Sequence, residues 1–291
     1  MTLTIADPAS ATVQALLHLH LKTLRLPTFI QNHARLAEEA SKANLSFDRY
    51  LLALSEQEVM QRDRNQQQRC IQAARFPALK ELADFDFAAL QSLNKARILE
   101  LAQGEYIHKA ETVILLGAPG LGKSHIASAL ALQACRQKHH VRFYTAAGLV
   151  NDLLVAQDKL QMPRLIQAAL RQQLIVIDEL GFIPFTQQGA QLFFQFCAAI
   201  YDHVALIITT NLPFTQWSQL FQDDTLTMAL LDRVTHRCTV IEFLGDSFRF
   251  KQRMKRQAKS LKGGDPLAMP GTHASIGETS DNISSELNTG R

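Results

Sequence analysis

Residues 113–127 read VILLGAPGLGKSHIA, and this stretch decides the fold. Val113 to Leu116 is a short apolar run, and Gly117 to Ser124, GAPGLGKS, matches the pattern G-x-x-x-x-G-K-[ST]. Ile126, Ala127 and Leu130 then open an amphipathic helix. A chain of phosphates needs many oriented donors and no side-chain bulk. Glycines let backbone N–H groups curl around it, and the helix N-terminus adds partial positive charge. The expected phosphate-binding residues are therefore Gly117, Ala118, Pro119, Gly120, Leu121, Gly122, Lys123, Ser124 and His125. Lys123 is placed to bridge the β- and γ-phosphates of ATP, and the Ser124 hydroxyl to ligate magnesium.

Four further apolar runs accompany the first: Val141 to Tyr144, Leu174 to Ile177, Val204 to Thr210 and Val240 to Phe243. Each is short and continuous, as a strand covered on both faces must be, and helical patterns lie between them. The spacing predicts an α/β fold, a parallel sheet of about five strands flanked by helices. Residues 1 to about 110 read as helical: Leu51, Leu52, Val59 and Ile71 recur among Arg, Gln and Glu, and Ser46 is placed to cap a helix start. The texture changes near Phe85, Asp86 and Phe87, so a helical N-terminal domain over 1–85 and an α/β domain over 86–262 are expected. The remainder, 263–291, is rich in Gly, Ser, Thr and Pro without periodicity and is expected to be disordered.

Two more strand ends carry chemistry. LIVIDEL, Leu174 to Leu180, delivers Asp178 and Glu179 together, 54 residues after Ser124. Asp178 is placed to hold magnesium, and Glu179 to polarise the water that attacks the γ-phosphate. A solvent-facing loop that merely begins with acids is the competing reading. VALIITTN, Val204 to Asn211, would put the Asn211 amide at the carboxyl edge of the sheet, where open α/β folds bind ligands. There it could orient the lytic water or sense the γ-phosphate, or it could simply start the turn before Leu212 and Pro213. In LLDRVTHRC, Leu230 to Cys238, Arg233 lies well beyond these residues. It would serve as an arginine finger on a neighbouring subunit, or as a surface ion pair with Asp232.

Composition narrows the classes. A hydrophobic fraction of 47% supports a real core, and no apolar run nears the roughly 20 residues that span a bilayer, so an intracellular, cytoplasmic protein without membrane attachment is expected. Cys70, Cys135, Cys197 and Cys238 form neither a disulfide framework nor a metal spacing and read as reduced core residues. The net charge is only +3, so local distribution matters more. Arg249, Lys251, Arg253, Lys255, Arg256, Lys259 and Lys262 cluster without an acid between Asp246 and Asp265, around a stripe of Phe250, Met254 and Leu261. That stretch fits salt-dependent contact with DNA phosphates, a solvated helix, or an acidic partner. The arginines at 62, 64, 69 and 75 fall in a segment that balances 13 cations with 12 acids over residues 1–110, which fits a solvated face or a nucleic-acid face.

With these motifs in hand, the chain resembles the IstB-like ATP-binding proteins, helper ATPases of insertion-sequence transposition in the AAA+ class, related to the DnaC helicase loaders and the DnaA initiator. The resemblance covers about residues 10 to 260. It rests on GKSHIA at 122–127, DELGF at 178–182, TTNLPFTQW at 209–217, LLDRVTH at 230–236 and GDSFR at 245–249, with LHLKTLRLPTF near residue 20 and DFDF at 84–87. It implies an ATPase that assembles as a homo-oligomer with ATP on double-stranded DNA, recruits or activates the transposase of the same element, and resets on hydrolysis. It also implies that Asn211 is the first sensor, Arg233 the finger, and Arg249 a second sensor; Ser124 stands where Thr is more usual. A DnaC-like loader of a replicative helicase is the nearest alternative. A P-loop kinase acting on a small molecule fits less well, because Glu179 beside Asp178 favours water as acceptor and no arginine-rich lid is visible. An adaptor that binds ATP without splitting it is a third class.

Overall fold

Alternation explains the sheet. In the computed structural model, which describes residues 8–90 and 92–245 and side-chain surroundings from residue 12, odd and even positions of each central strand feed opposite cores. The basic cluster from Arg249 to Lys262, the sensor reading of Arg249 and the tail from Gly263 lie outside the described residues.

Three helices come first: α1 (Pro8–Thr23), α2 (Pro27–Lys42) and α3 (Phe47–Ala74). Ser46 caps α3 by accepting from Arg49 N–H, and Arg75 ends it in the left-handed region at φ +59°. A strap over residues 75–90, with two short 3-10 turns, and residues 92–94 precede α4 (Lys95–Leu101) and α5 (Glu105–His108). The α/β part follows as β1 (Thr112–Gly117), α6 (Lys123–Arg136), β2 (Val141–Thr145), α7 (Ala146–Asp158), α8 (Met162–Leu170) and β3 (Leu174–Leu180). It closes with α9 (Gln187–Ile200), β4 (Ala205–Thr210), α10 (Trp217–Phe221), α11 (Asp224–His236) and β5 (Cys238–Phe243).

The five strands are all parallel, in the order β2-β3-β4-β1-β5. The expected α/β architecture is thus the observed one. Ile114, Ile175, Ile177 and Ile208 point into one layer with Phe193, Phe196, Trp217 and Phe221. Val113, Leu115, Val176 and Ile207 point into the other, with Ile126, Leu130, Ile98 and Phe243. Period-two alternation within fully buried strands requires apolar residues on both faces, hence the unbroken runs. Thr145, Thr186 and Asp223 cap α7, α9 and α11 through their side chains.

The last turns of α3 join the same core, since Cys70 and Ala74 are buried beside the β1 and α6 residues. Lys138 pairs with Asp63 at 2.7 Å, and Arg142 donates to the Ala73 carbonyl. The strap lies along α6: His125 Nε2 is 2.8 Å from the Glu81 carbonyl, and Arg136 pairs with the Glu81 carboxylate. Cys70, Cys135 and Cys197 are buried free thiols. Burial pushes the Cys197 thiol up to about 12, which leaves it inert at neutral pH.

Candidate nucleotide site

In an all-parallel sheet every strand ends on the same edge. β4 lies between β3 and β1, so the loop after β1, the acids of β3 and the residue after β4 meet there by topology alone. The loop runs from the end of β1 to the first turn of α6, a 14-residue helix whose initial N–H groups lack intrahelical partners and face the loop. Gly122 has φ +91°, and a Cβ there would come within 2.6 Å of the Phe85 ring. A side chain at Gly117, φ +153°, would run into the Phe243 carbonyl of β5. Both positions therefore exclude side chains for reasons internal to the fold.

Lys123 opens α6 with its side chain buried, and its Nζ donates to the carbonyls of Gly117 at 2.6 Å and Ala118 at 3.0 Å. The ammonium is thus drawn back over the loop. Ser124 Oγ donates to Asp178 Oδ1 at 2.8 Å, which joins the loop to β3. Asp178 is 5% exposed, whereas Glu179 next to it is exposed to solvent with φ +63°. Asn211 follows β4 directly, and its Oδ1 lies beside Gly181, since a Cβ on that glycine would stand 3.4 Å from it.

Two expected site residues are placed differently. The His125 ring is turned to the strap, 5.3 Å edge-on from Phe85 and near the Glu81 carbonyl, so only its backbone belongs to the loop-facing turn. Arg233 lies at the opposite edge of the sheet, lining a small cleft with Thr112, Val204 and Leu206, residues at the amino ends of β1 and β4. Its Nη1 donates to the Ala229 carbonyl at 2.9 Å and its guanidinium rests 5.1 Å from the centre of the Phe194 ring.

Sequence reasoning passed over Thr209. Its hydroxyl donates to Asp178 Oδ1 and accepts the Glu179 N–H at 2.9 Å. The available signal was a hydroxyl closing an otherwise apolar strand, where a buried donor must find a partner.

The donor set suits a nucleoside triphosphate and a hard cation. Ser124 Oγ and Asp178 Oδ1 offer hard oxygens side by side at the foot of the loop, and magnesium leans on one or two such groups plus phosphate oxygens. Among the described residues, no cluster of three or more His, Cys, Asp or Glu is built to hold a metal by itself. No described helix is long and apolar enough to cross a membrane.

A glycine loop between β1 and α6, acids ending β3 and the order β2-β3-β4-β1-β5 define a P-loop nucleotide-binding protein of the AAA+ kind. The profile of the IstB-like ATP binding proteins matches residues 19–256. The chain belongs to that family. It is 30% identical over 243 residues to the ATP-binding protein of insertion sequence IS5376 from Geobacillus stearothermophilus, covering 84% of this chain and 97% of that one. It is 31% identical over 235 residues to the ATP-binding protein of IS21 from Pseudomonas aeruginosa, covering 81% and 89%. Of solved structures, the DnaC helicase loader aligns at 17% identity over 51% of this chain and 87% of that one, with a TM-score of 0.45.

Proposed function

We propose that this chain is an ATP-hydrolysing helper of transposition: with ATP and magnesium it assembles on double-stranded DNA, recruits or activates the transposase of its element, and resets by hydrolysis. The observation that carries the reading is the hydrogen bond from Ser124 in the loop to Asp178 on β3, with the Lys123 ammonium lying over that same loop. The matched relatives, named as ATP-binding proteins of insertion sequences, support the setting. In this reading Lys123 neutralises the β- and γ-phosphates, and Ser124 and Asp178 hold magnesium. Magnesium, when bound, neutralises charge on the phosphate oxygens. The solvent-exposed Glu179 carboxylate takes a proton from the attacking water, and Asn211 orients that water. Residues 86–262 form the ATPase domain and 1–85 the partner- and DNA-binding domain, to which the exposed leucines of α1 and α3 lend support.

Arg233 acts in trans. A group at the amino edge of one sheet cannot serve the carboxyl edge of the same sheet, but head-to-tail stacking sets it against the next subunit's triphosphate. The test uses Glu179→Gln and Arg233→Ala. Each should retain ATP with magnesium and each should lose turnover, by about 10²- to 10⁴-fold for Glu179→Gln. Mixed together on duplex DNA they should recover activity, because the Arg233→Ala subunit keeps an intact site and borrows its neighbour's finger. Full turnover by Arg233→Ala alone removes the trans role. Failure of the wild-type chain to retain ATP removes the whole reading.

A further inference from the structure

β3 and β4 fall out of register at one place. Ile177 pairs with Ile208 and pairing resumes with Leu180 against Thr210, so Asp178 and Glu179 together face the single residue Thr209. This is a β-bulge, and the left-handed φ of Glu179 is its mark. A bulge strands a ladder N–H, here that of Glu179, and Thr209 Oγ1 accepts it at 2.9 Å. The same hydroxyl gives its only proton to Asp178 Oδ1, which also accepts from Ser124. Thr209 is 1% exposed, so no solvent competes for either bond.

From this we infer that Thr209 is the positioning residue for both acids: it fixes the rotamer of Asp178 and the backbone turn that presents Glu179 to solvent. The inference rests on the roles given to those acids above. Regular pairing would project neighbouring side chains to opposite faces of the strand, whereas the bulge delivers two consecutive carboxylates to one strand end. The hydroxyl holds that irregularity in place. Valine has the same shape and offers neither bond, while serine keeps both. Asn211 follows β4, two residues beyond Thr209, so the strand end proposed to orient the attacking water is the one that clamps the acids.

The test compares full-length Thr209→Val and Thr209→Ser with the wild type by melting temperature, affinity for a fluorescent ATP analogue in EDTA, and turnover across a magnesium titration. Thr209→Val should keep metal-free nucleotide affinity within about twofold, lose at least about tenfold in kcat, and need at least about threefold more magnesium for half-maximal turnover. Thr209→Ser should recover both within about threefold. A packing role alone would lower the melting temperature and leave the magnesium requirement and the kcat of the folded fraction unchanged. Should Thr209→Val not fold, Thr209→Cys, of similar volume and with a weak donor, replaces it. Wild-type kcat and magnesium response in the valine or cysteine variant, or a serine variant as slow as valine, overturns the inference. Asp178→Asn and Glu179→Gln run alongside: if both turn over like the wild type, the reading of the acids has failed and this inference with it. If both are inactive and Thr209→Val is fully active, the failure is confined to Thr209.

Discussion

The sheet and the helices that precede it use apolar side chains in opposite ways. Leu174 to Ile177 are completely enclosed, as are Val113 to Leu115. On α1 and α3, Leu16, Leu19, Leu51, Leu52 and Val59 are each more than half exposed, while Glu58 is only 4% exposed. One region is held by apolar burial throughout; the other buries only a few apolar side chains, Leu21, Ala40 and Leu54 among them, adds polar contacts, and leaves many of its leucines outside. Glu58 shows how: its Oε2 accepts the Thr28 N–H in the first turn of α2, and its Oε1 accepts from Arg62. A carboxylate from α3 thereby caps a helix whose own N-cap, Leu26, has no side-chain oxygen. Arg62 also donates to the Arg25 carbonyl, and the Tyr50 hydroxyl to that of His33.

The largest effect should come from the sheet layer. Phe193 is 1% exposed and packs on Phe185 and Phe221, so Phe193→Ala should cost about 3–5 kcal/mol. Trp217, the single tryptophan, sits in that same layer and reports its unfolding in urea. A loss under about 1 kcal/mol would mean this layer is not held by apolar burial.

Glu58→Ala should cost about 1–3 kcal/mol. The loss should register as faster hydrogen exchange at the start of α2, with the Trp217 transition little changed. Burial pushes the Glu58 carboxyl up, but hydrogen bonds from Arg62 and Thr28 outweigh that and hold it below 4.5. Its contribution is therefore present above pH 4.5 and lost as pH falls through the lowered value. His139, two residues before β2, behaves differently: burial, with His108 and His140 nearby, holds its pKa below 6.5 despite a hydrogen bond with Gln173. The unfolded chain then takes up the proton first, so the sheet part should lose stability as pH falls below 6.5. Acid should weaken the sheet first and the α2–α3 contact second. His139→Gln should flatten only the first phase; an unchanged first phase would assign it to another group.

How much of this was legible depends on how local each cause is. All five strands were readable because a strand buried on both faces must be a continuous apolar run. LIVIDEL reads as a strand to Leu180 and β3 runs that far, but the bulge that keeps it pairing past Ile177 depends on register with a strand 30 residues away. The loop and the two acids were readable because their chemistry is written in consecutive residues. Thr209 was not, since one hydroxyl's partners depend on that same register. On α3 the helix and its Ser46 cap were readable, but Leu51, Leu52 and Val59 face outward, and their recurrence says only that a helix forms. The edge on which Arg233 sits follows from chain topology, which no local pattern encodes.

The smallest effect is the one that most sharpens the contrast. Leu16→Gln and Leu51→Gln replace side chains about half exposed, so each should change stability by no more than about 0.5 kcal/mol in either direction. In the sheet, a buried polar side chain without a partner would cost several times that. Thermal melts at two protein concentrations at least tenfold apart provide the check. A loss above about 1 kcal/mol that is independent of concentration would show that these leucines pack within a single chain, which ends the contrast drawn between the two regions. A loss that appears only at the higher concentration would mean the leucines are covered between copies, because a partner that binds the folded state stabilises it by mass action. The helices would then share the sheet's reliance on apolar burial, with the burial supplied by a neighbour.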